Sequence, residues 1–365
     1  MKKHFVLPSV AFLFILITSS FENEIVISEA NDRNPKNIIL FIGDGMGTAE
    51  ISAAITMSAS TLNIETFPYS GFSKTSSSDK YVTDSAAGGT AIAAGNKTKN
   101  GMIGVGPDSI AVQSIMEIAK KNGLSTGLIS TTAITHATPA SFVAHNAGRG
   151  NYEDIAKDFM NNTIDVFIGG GVNHFKNRKD GVDLTAQLEK NGYDVVYTLE
   201  EMENSSATKL AGLLAPVDMP TVLAGRGKML EDATRKAIEI LSRNKKGFIL
   251  MVEGSMIDFG GHANDINYDV SELLDLDKAV GVAMDFANID GNTTVVITAD
   301  HETGGLTLTD GSPTEHTVQA AFSTKGHTAV MVPIFALGPG AANFSGIHEN
   351  TFFFGEFINL LKLKK

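Results

Sequence analysis

Asn37-Ile38-Ile39-Leu40-Phe41-Ile42-Gly43-Asp44-Gly45 is a run of bulky apolar residues that stops at a glycine-rich turn bearing a carboxylate. A strand with one wet face alternates apolar and polar residues. One that is apolar throughout is covered on both faces, as in a parallel sheet flanked by helices. The same pattern returns at Thr126 to Ile129, Val166 to Ile168, Phe248 to Val252, Thr294 to Thr298 and Ile334 to Leu337. Helical patterns lie around Ser85–Ala94, Val112–Asn122, Met229–Ser242 and Ile266–Ala287, and a last one near Phe352 to Leu363 closes the chain. This alternation predicts an α/β fold built on a mainly parallel, buried sheet. Residues 172–228 read as part of the same domain, through a further helix–strand pair (Leu184–Lys190, Asp194–Tyr197) and a loop with glycine and methionine.

The residues just beyond each strand are more informative than the strands themselves. The first strand ends at Asp44, the second leads into His136-Ala137-Thr138, the strand to Val252 ends at Glu253, and the strand to Thr298 runs into Asp300-His301. Open α/β sheets bind ligands at the carboxyl ends of their strands. Taken singly, these residues have ordinary readings. Asp44 would serve as a helix cap, and His327, after Lys325-Gly326, as a loop histidine. Asp258 and His262 are four apart, which on a helix puts both on one face but is common in solvated helices. Together, Asp44, Glu253, Asp258, Asp300, His262, His301 and His327 supply carboxylates and imidazoles without thiolate. That donor set suits zinc, and its oxygen subset suits magnesium.

A nucleophile candidate stands in Val82-Thr83-Asp84-Ser85-Ala86-Ala87-Gly88-Gly89. Small residues and a helical run come after Ser85, so its hydroxyl falls near a helix N-terminus, where backbone donors favour negative charge. The plain alternative is that Asp84 or Ser85 only caps the helix. A metal ion against the hydroxyl would separate the two, since it can hold an alkoxide near neutral pH.

The 365 residues begin with basic Met1-Lys2-Lys3, an apolar run from Phe5 to Thr18, and small Ser19 and Ser20. This order predicts a signal peptide over residues 1–21 and export, with an uncleaved anchor as the alternative. The remaining 22–365 are expected to form a single catalytic domain, long enough for a sizeable core. It contains no cysteine, so that core forms without disulfides. The net charge of -12 disfavours passive binding to nucleic acid or anionic membranes. No nucleic-acid-binding module and no stable membrane anchor after cleavage are expected.

The ordered blocks resemble the alkaline phosphatase family, in its compact bacterial form. They are Ile42-Gly43-Asp44-Gly45-Met46-Gly47, Thr83-Asp84-Ser85-Ala86, and His136-Ala137-Thr138-Pro139-Ala140 with Arg149 downstream. Then come Glu253-Gly254-Ser255-Met256-Ile257-Asp258, Gly261-His262-Ala263-Asn264, Thr298-Ala299-Asp300-His301 and Gly326-His327-Thr328. The resemblance implies a three-layer sandwich and a phosphate monoester hydrolase acting through a phosphoserine on Ser85. It implies two zinc ions and one magnesium: Asp258, His262 and His327 on the first zinc, Asp44, Asp300 and His301 on the second with Ser85 beside it, and Asp44, Thr138 and Glu253 on the third ion. Arg149 would grip two phosphate oxygens and Asp84 would orient it. It further implies a periplasmic or secreted homodimer with broad monoester substrates.

Two positions depart from the best-known enteric bacterial member: His136 stands in place of an aspartate, and Phe259 in place of a lysine. An imidazole near the third site weakens its preference for an oxygen-only ion, and Phe259 can give phosphate neither a charge nor a hydrogen bond. Only twenty-five residues separate His301 from His327, where many relatives carry a larger crown-like insertion, so a reduced crown is expected. His145, His174, His316 and His348 are read as structural or surface residues. The rival readings are a phosphodiesterase or sulfatase of the same superfold, and a non-catalytic phosphate- or metal-binding protein.

Overall fold

The computed structural model describes Met1 and residues 34–365; apart from Met1, the expected signal segment 1–21 lies outside the described residues. Fourteen strands occur among them, in chain order: β1 Asn37–Gly43, β2 Tyr69–Lys74, β3 Ser125–Ala133, β4 Val166–Gly170, β5 Asp194–Val196, β6 Leu210–Leu213 and β7 Phe248–Gly254. After these come β8 Thr293–Thr298, β9 Glu302–Thr303, β10 Leu306–Ser312, β11 Thr317–Phe322, β12 His327–Thr328, β13 Val332–Leu337 and β14 Gly346–Glu349. Ten of them make one sheet in the order β14-β2-β13-β8-β1-β7-β3-β4-β6-β5. Only β13 runs against its neighbours, pairing antiparallel with β2 and β8, so the sheet is mainly parallel as expected.

The continuous apolar run of β1 is explained by its two covers. Ile38, Leu40 and Ile42 point into one core, with Ala86, Ile92, Ile115, Phe353 and Phe357 from helices Ser85–Ala94, Ile115–Lys121 and Phe352–Leu361. Ile39 and Phe41 point into the other, with Ile51, Met229, Leu230, Val270 and Leu273 from helices Thr48–Met57, Met229–Leu241 and Ile266–Asp290. Helix, sheet and helix form three layers, with β1 sealed at the centre. Each large side chain buried this way contributes roughly 1.5–3 kcal/mol, which is why the strands can dispense with polar residues until they reach their ends.

Local chemistry shifts some boundaries. The helix expected from Val112 begins at Ile115, because Ser114 and Glu117 form a capping box that fixes its start. β3 runs on to Ala133 through a stretch of hydroxyl residues, Ser130-Thr131-Thr132, whose polarity hid its length. Residues 172–228 contribute β5 and β6 to the same sheet, pairing beyond β4, and β6 was not evident in the sequence. Between His301 and His327 the chain makes the two-residue β9 and the antiparallel hairpin of β10 and β11, a short stretch in keeping with the reduced crown.

The loop after β6 is fastened by a buried arginine. The Arg226 side chain is 1% exposed; it donates to Asp275 Oδ2 at 2.9 Å and pairs with Glu272, while Glu272 Oε1 accepts from Val222 N at 2.8 Å. Removing one member of a buried ionic group strands the others. Arg226→Ala is expected to cost about 3–5 kcal/mol of stability. Denaturant unfolding measures it, and a loss under about 1 kcal/mol would show that the loop is held by other contacts.

Candidate active site

Four neighbouring strands, β8, β1, β7 and β3, end on the same edge of the sheet. Their ends deliver Asp300 and His301, Asp44, Glu253, and His136 with Thr138. Parallel pairing puts Ile42 beside both Glu253 and Thr298. Residues more than two hundred positions apart therefore leave the sheet side by side. Asp44, Glu253, Asp300 and His301 are all fully buried.

The helix after β7, Ile257–Ala263, turns Asp258 and His262 onto one face, 3.3 Å apart, and β12 brings His327 to 3.5 Å from the same Asp258 oxygen. Hydrogen bonds fix the tautomers. His262 Nδ1 lies 2.5 Å from the Lys325 carbonyl, and His327 Nδ1 lies 2.9 Å from the Thr83 carbonyl. A carbonyl only accepts, so each Nδ1 carries the proton and each neutral ring has a bare Nε2. Those two Nε2 atoms face each other at 3.2 Å across from a carboxylate oxygen. Lone pairs gathered in this way repel unless a cation sits among them.

A second cluster adjoins the first through the stacked rings of His301 and His327, whose centroids are 3.5 Å apart. Thr303 Oγ1 gives its one proton to Asp258 Oδ1 at 2.5 Å, so it accepts from His301 Nδ1 at 3.2 Å. His301 Nε2 is thereby left bare, 3.2 Å from Asp300 Oδ2, 3.4 Å from Asp44 Oδ1 and 3.2 Å from Ser85 Oγ. Behind it, Asp44, His136 and Glu253 make a third group able to hold an ion. Glu253 Oε2 accepts from Ser130 and Ser255, each at 2.7 Å, leaving Oε1 free.

The electrostatics agree with the geometry. Burial first, then the nearby Asp300, Asp258 and Glu253 carboxylates, pushes the Asp44 carboxyl well above the ordinary range. Burial, followed by Asp258 and Glu253, does the same to Asp300. Burial pulls the His301 and His136 imidazoles down, His136 to about 4, with the Arg149 charge adding to both. These surroundings disfavour the ionised carboxylates, and bound cations would favour them. Both oxygens of Asp44, Oδ2 of Asp300, Oε1 of Glu253, the Thr138 hydroxyl and Nδ1 of His136 are buried without a hydrogen-bond partner. Such a set of orphaned donor atoms fits metal ions.

Ser85 opens the helix Ser85–Ala94, and Asp84 caps it by accepting from Ala87 N at 3.0 Å. Its other oxygen accepts from Arg149 Nη1 and Gly101 N, both at 2.9 Å. The capping and arginine-orienting readings of Asp84 are therefore not alternatives. Gly88 permits the approach, since a Cβ there would meet Asp300 Cβ at 3.1 Å.

Phe259 sits edge-on to His136 with centroids 6.4 Å apart. His136 also faces Tyr152 at 6.4 Å, and Tyr152 stacks on His174 at 4.8 Å beside a cavity of about 610 Å³. His174, stacked on Tyr152 and 2.7 Å from the Thr135 hydroxyl, keeps its structural reading. His145, held by Gly104 O and Glu117, His316 near Thr56 O, and His348 on Phe352 keep theirs. Sequence reading missed Thr303 and Ser130, which touch only Asp258, His301 and Glu253 within the site; no spacing marks a hydroxyl of that kind.

The family model described as alkaline phosphatase matches residues 35–321. Alkaline phosphatase 4 of Bacillus subtilis is 40% identical over 75% of this chain, which spans 62% of that protein's length. Alkaline phosphatase 3 of the same species is 32% identical over 88% of each chain. The solved alkaline phosphatase of the Antarctic bacterium TAB5 is 45% identical, superposes with a TM-score of 0.87, and is matched over 91% of this chain and 100% of its own.

Proposed function

Because the chain belongs to the alkaline phosphatase family, we propose that it is a metal-dependent phosphate monoester hydrolase working through a phosphoserine on Ser85. The observation that carries this reading is the Ser85 hydroxyl, 3.2 Å from a bare imidazole nitrogen among buried carboxylate oxygens that have no donor of their own. A non-catalytic binding protein has no use for a nucleophile in that position.

Asp258, His262 and His327 would hold one zinc, Asp44, Asp300 and His301 a second, and Asp44, Thr138 and Glu253 a magnesium. A variant of the TAB5 enzyme with aspartate replacing a histidine is described with magnesium in its M3 site. In this chain His136 belongs to the third group, so its donor set is not oxygen-only and its preference for magnesium is weakened. When bound, such ions stabilise charge on the attacking and leaving oxygens.

The chain's own residues do the rest. Arg149, held by Asp84, presents its planar fork to two phosphate oxygens. Ser85 Oγ attacks phosphorus in line at the start of its helix, forming the Ser85 Oγ–P bond as the bond to the alcohol oxygen breaks, and the alcohol leaves with a proton. Water then attacks the phosphoserine, freeing Ser85 and inorganic phosphate. Loose phosphoryl transfer depends on positioning and charge more than on the leaving group, which suits a broad range of monoesters.

Export and a homodimer belong to the same proposal. Among the described residues no helix is long and apolar enough to cross a membrane. The short β10–β11 hairpin leaves less crown to hold a dimer, and sedimentation as a monomer at working concentration would refute that assembly.

Ser85→Ala should keep its metals and lose at least about a thousand-fold in kcat, from loss of the covalent path. Acid quench of the wild type with labelled nitrophenyl phosphate should trap phosphoserine. Faster turnover of a diester or a sulfate than of the monoester would instead favour the rival hydrolases. Phe259→Lys should tighten inhibition by inorganic phosphate, because it adds a charged donor where the wild type has none; equal inhibition constants would remove Phe259 from the phosphate pocket.

A further inference from the structure

Outside the site just described, three acidic residues are buried together: Glu50 on helix Thr48–Met57, Asp269 on helix Ile266–Asp290 and Glu302 on β9. Their exposures are 0%, 0% and 3%. None of the four carboxyl oxygens of Glu50 and Asp269 has a hydrogen-bond donor. Glu302 accepts from Leu306 N and from the Thr328 hydroxyl. No lysine, arginine or histidine forms an ion pair with any of the three among the described residues. Buried carboxyl groups ordinarily find a cationic partner, and no described side chain supplies one here.

Glu50 and Glu302 also line a cavity of about 320 Å³ whose rim includes Thr48, Thr307 and Val330. All three rim residues are exposed, so the cavity reaches solvent. Gly47 lets the two acidic side chains close up, since a Cβ there would meet Glu50 Oε2 at 2.7 Å and Glu302 Cγ at 2.6 Å. The neighbouring Ser323 and Thr328 add oxygens to the lining.

We propose that this cavity binds one further divalent cation of the hard, oxygen-preferring class, calcium or magnesium, through Glu50 and Glu302. Asp269 supplies the third negative charge from behind, and water completes the shell. Soft or nitrogen-preferring ions are disfavoured because no imidazole or sulfur lines the cavity. Its place in the fold assigns it a tethering role. An ion there would tie helix Thr48–Met57 to β9, which comes directly after the ligand residues Asp300 and His301.

The proposal is tested on the metal-loaded enzyme, comparing wild type with Glu50→Gln. After equilibrium dialysis against calcium or magnesium, the wild type should retain one more ion per chain than Glu50→Gln. Its unfolding midpoint should rise with added ion by at least about 2 °C at a hundred-fold excess over Kd. The variant's midpoint should stay flat. Asp269→Asn, nearly isosteric, should weaken retention without abolishing folding. Crystals of the wild type soaked in calcium should show density between Glu50 and Glu302 that Glu50→Gln lacks. Equal ion content, equal shifts in midpoint, or a water or shared proton alone between the two carboxyls would overturn it.

Discussion

The rest of the molecule depends on one electrostatic constraint: a handful of carboxylates and bare imidazole nitrogens are crowded into a dry space with too few protons to go round. In water such groups would drift apart. Here the sheet prevents it, because Asp44, Glu253 and Asp300 stand at the ends of adjacent strands whose registers are locked by parallel pairing. The cost of desolvating them is carried by the cores on either face of the sheet. The protein thus stores unfavourable electrostatics in a rigid frame and leaves cations to resolve it. The net charge of -12 then poses no contradiction for binding an anion, since the field felt in the pocket is set by ions that the amino-acid composition does not count.

The fold and the site were legible to different degrees, and for different reasons. β1 could be read because burial on both faces removes every polar residue from it. β3 was only half visible, since its second half is made of serines and threonines that satisfy Glu253 and the backbone around it rather than a core. The candidate metal-binding residues stood out because carboxylate and imidazole recur at successive strand ends. Thr303 did not, because its contribution is one hydroxyl that donates to Asp258 and accepts from His301, and a threonine after a strand has many ordinary uses. β6 escaped notice because Leu210–Leu213 is too short to show a period.

The hydroxyls also show how a tautomer is set at a distance. His262 and His327 are fixed by backbone carbonyls, and His301 by a threonine that has already committed its hydrogen elsewhere. In each case the outer nitrogen is occupied so that the inner one is free. The ligand field is therefore written into loops and β9 as much as into the motifs that contain the ligands.

Asp84 has a consequence beyond its three contacts. One of its oxygens anchors the first turn of the helix bearing Ser85, while the other anchors Arg149 across sixty-five positions of sequence. The hydroxyl and the guanidinium are thus two arms of a single lever with a carboxylate as its pivot. A change at this one carboxylate therefore reaches the first turn of the Ser85 helix and Arg149 together.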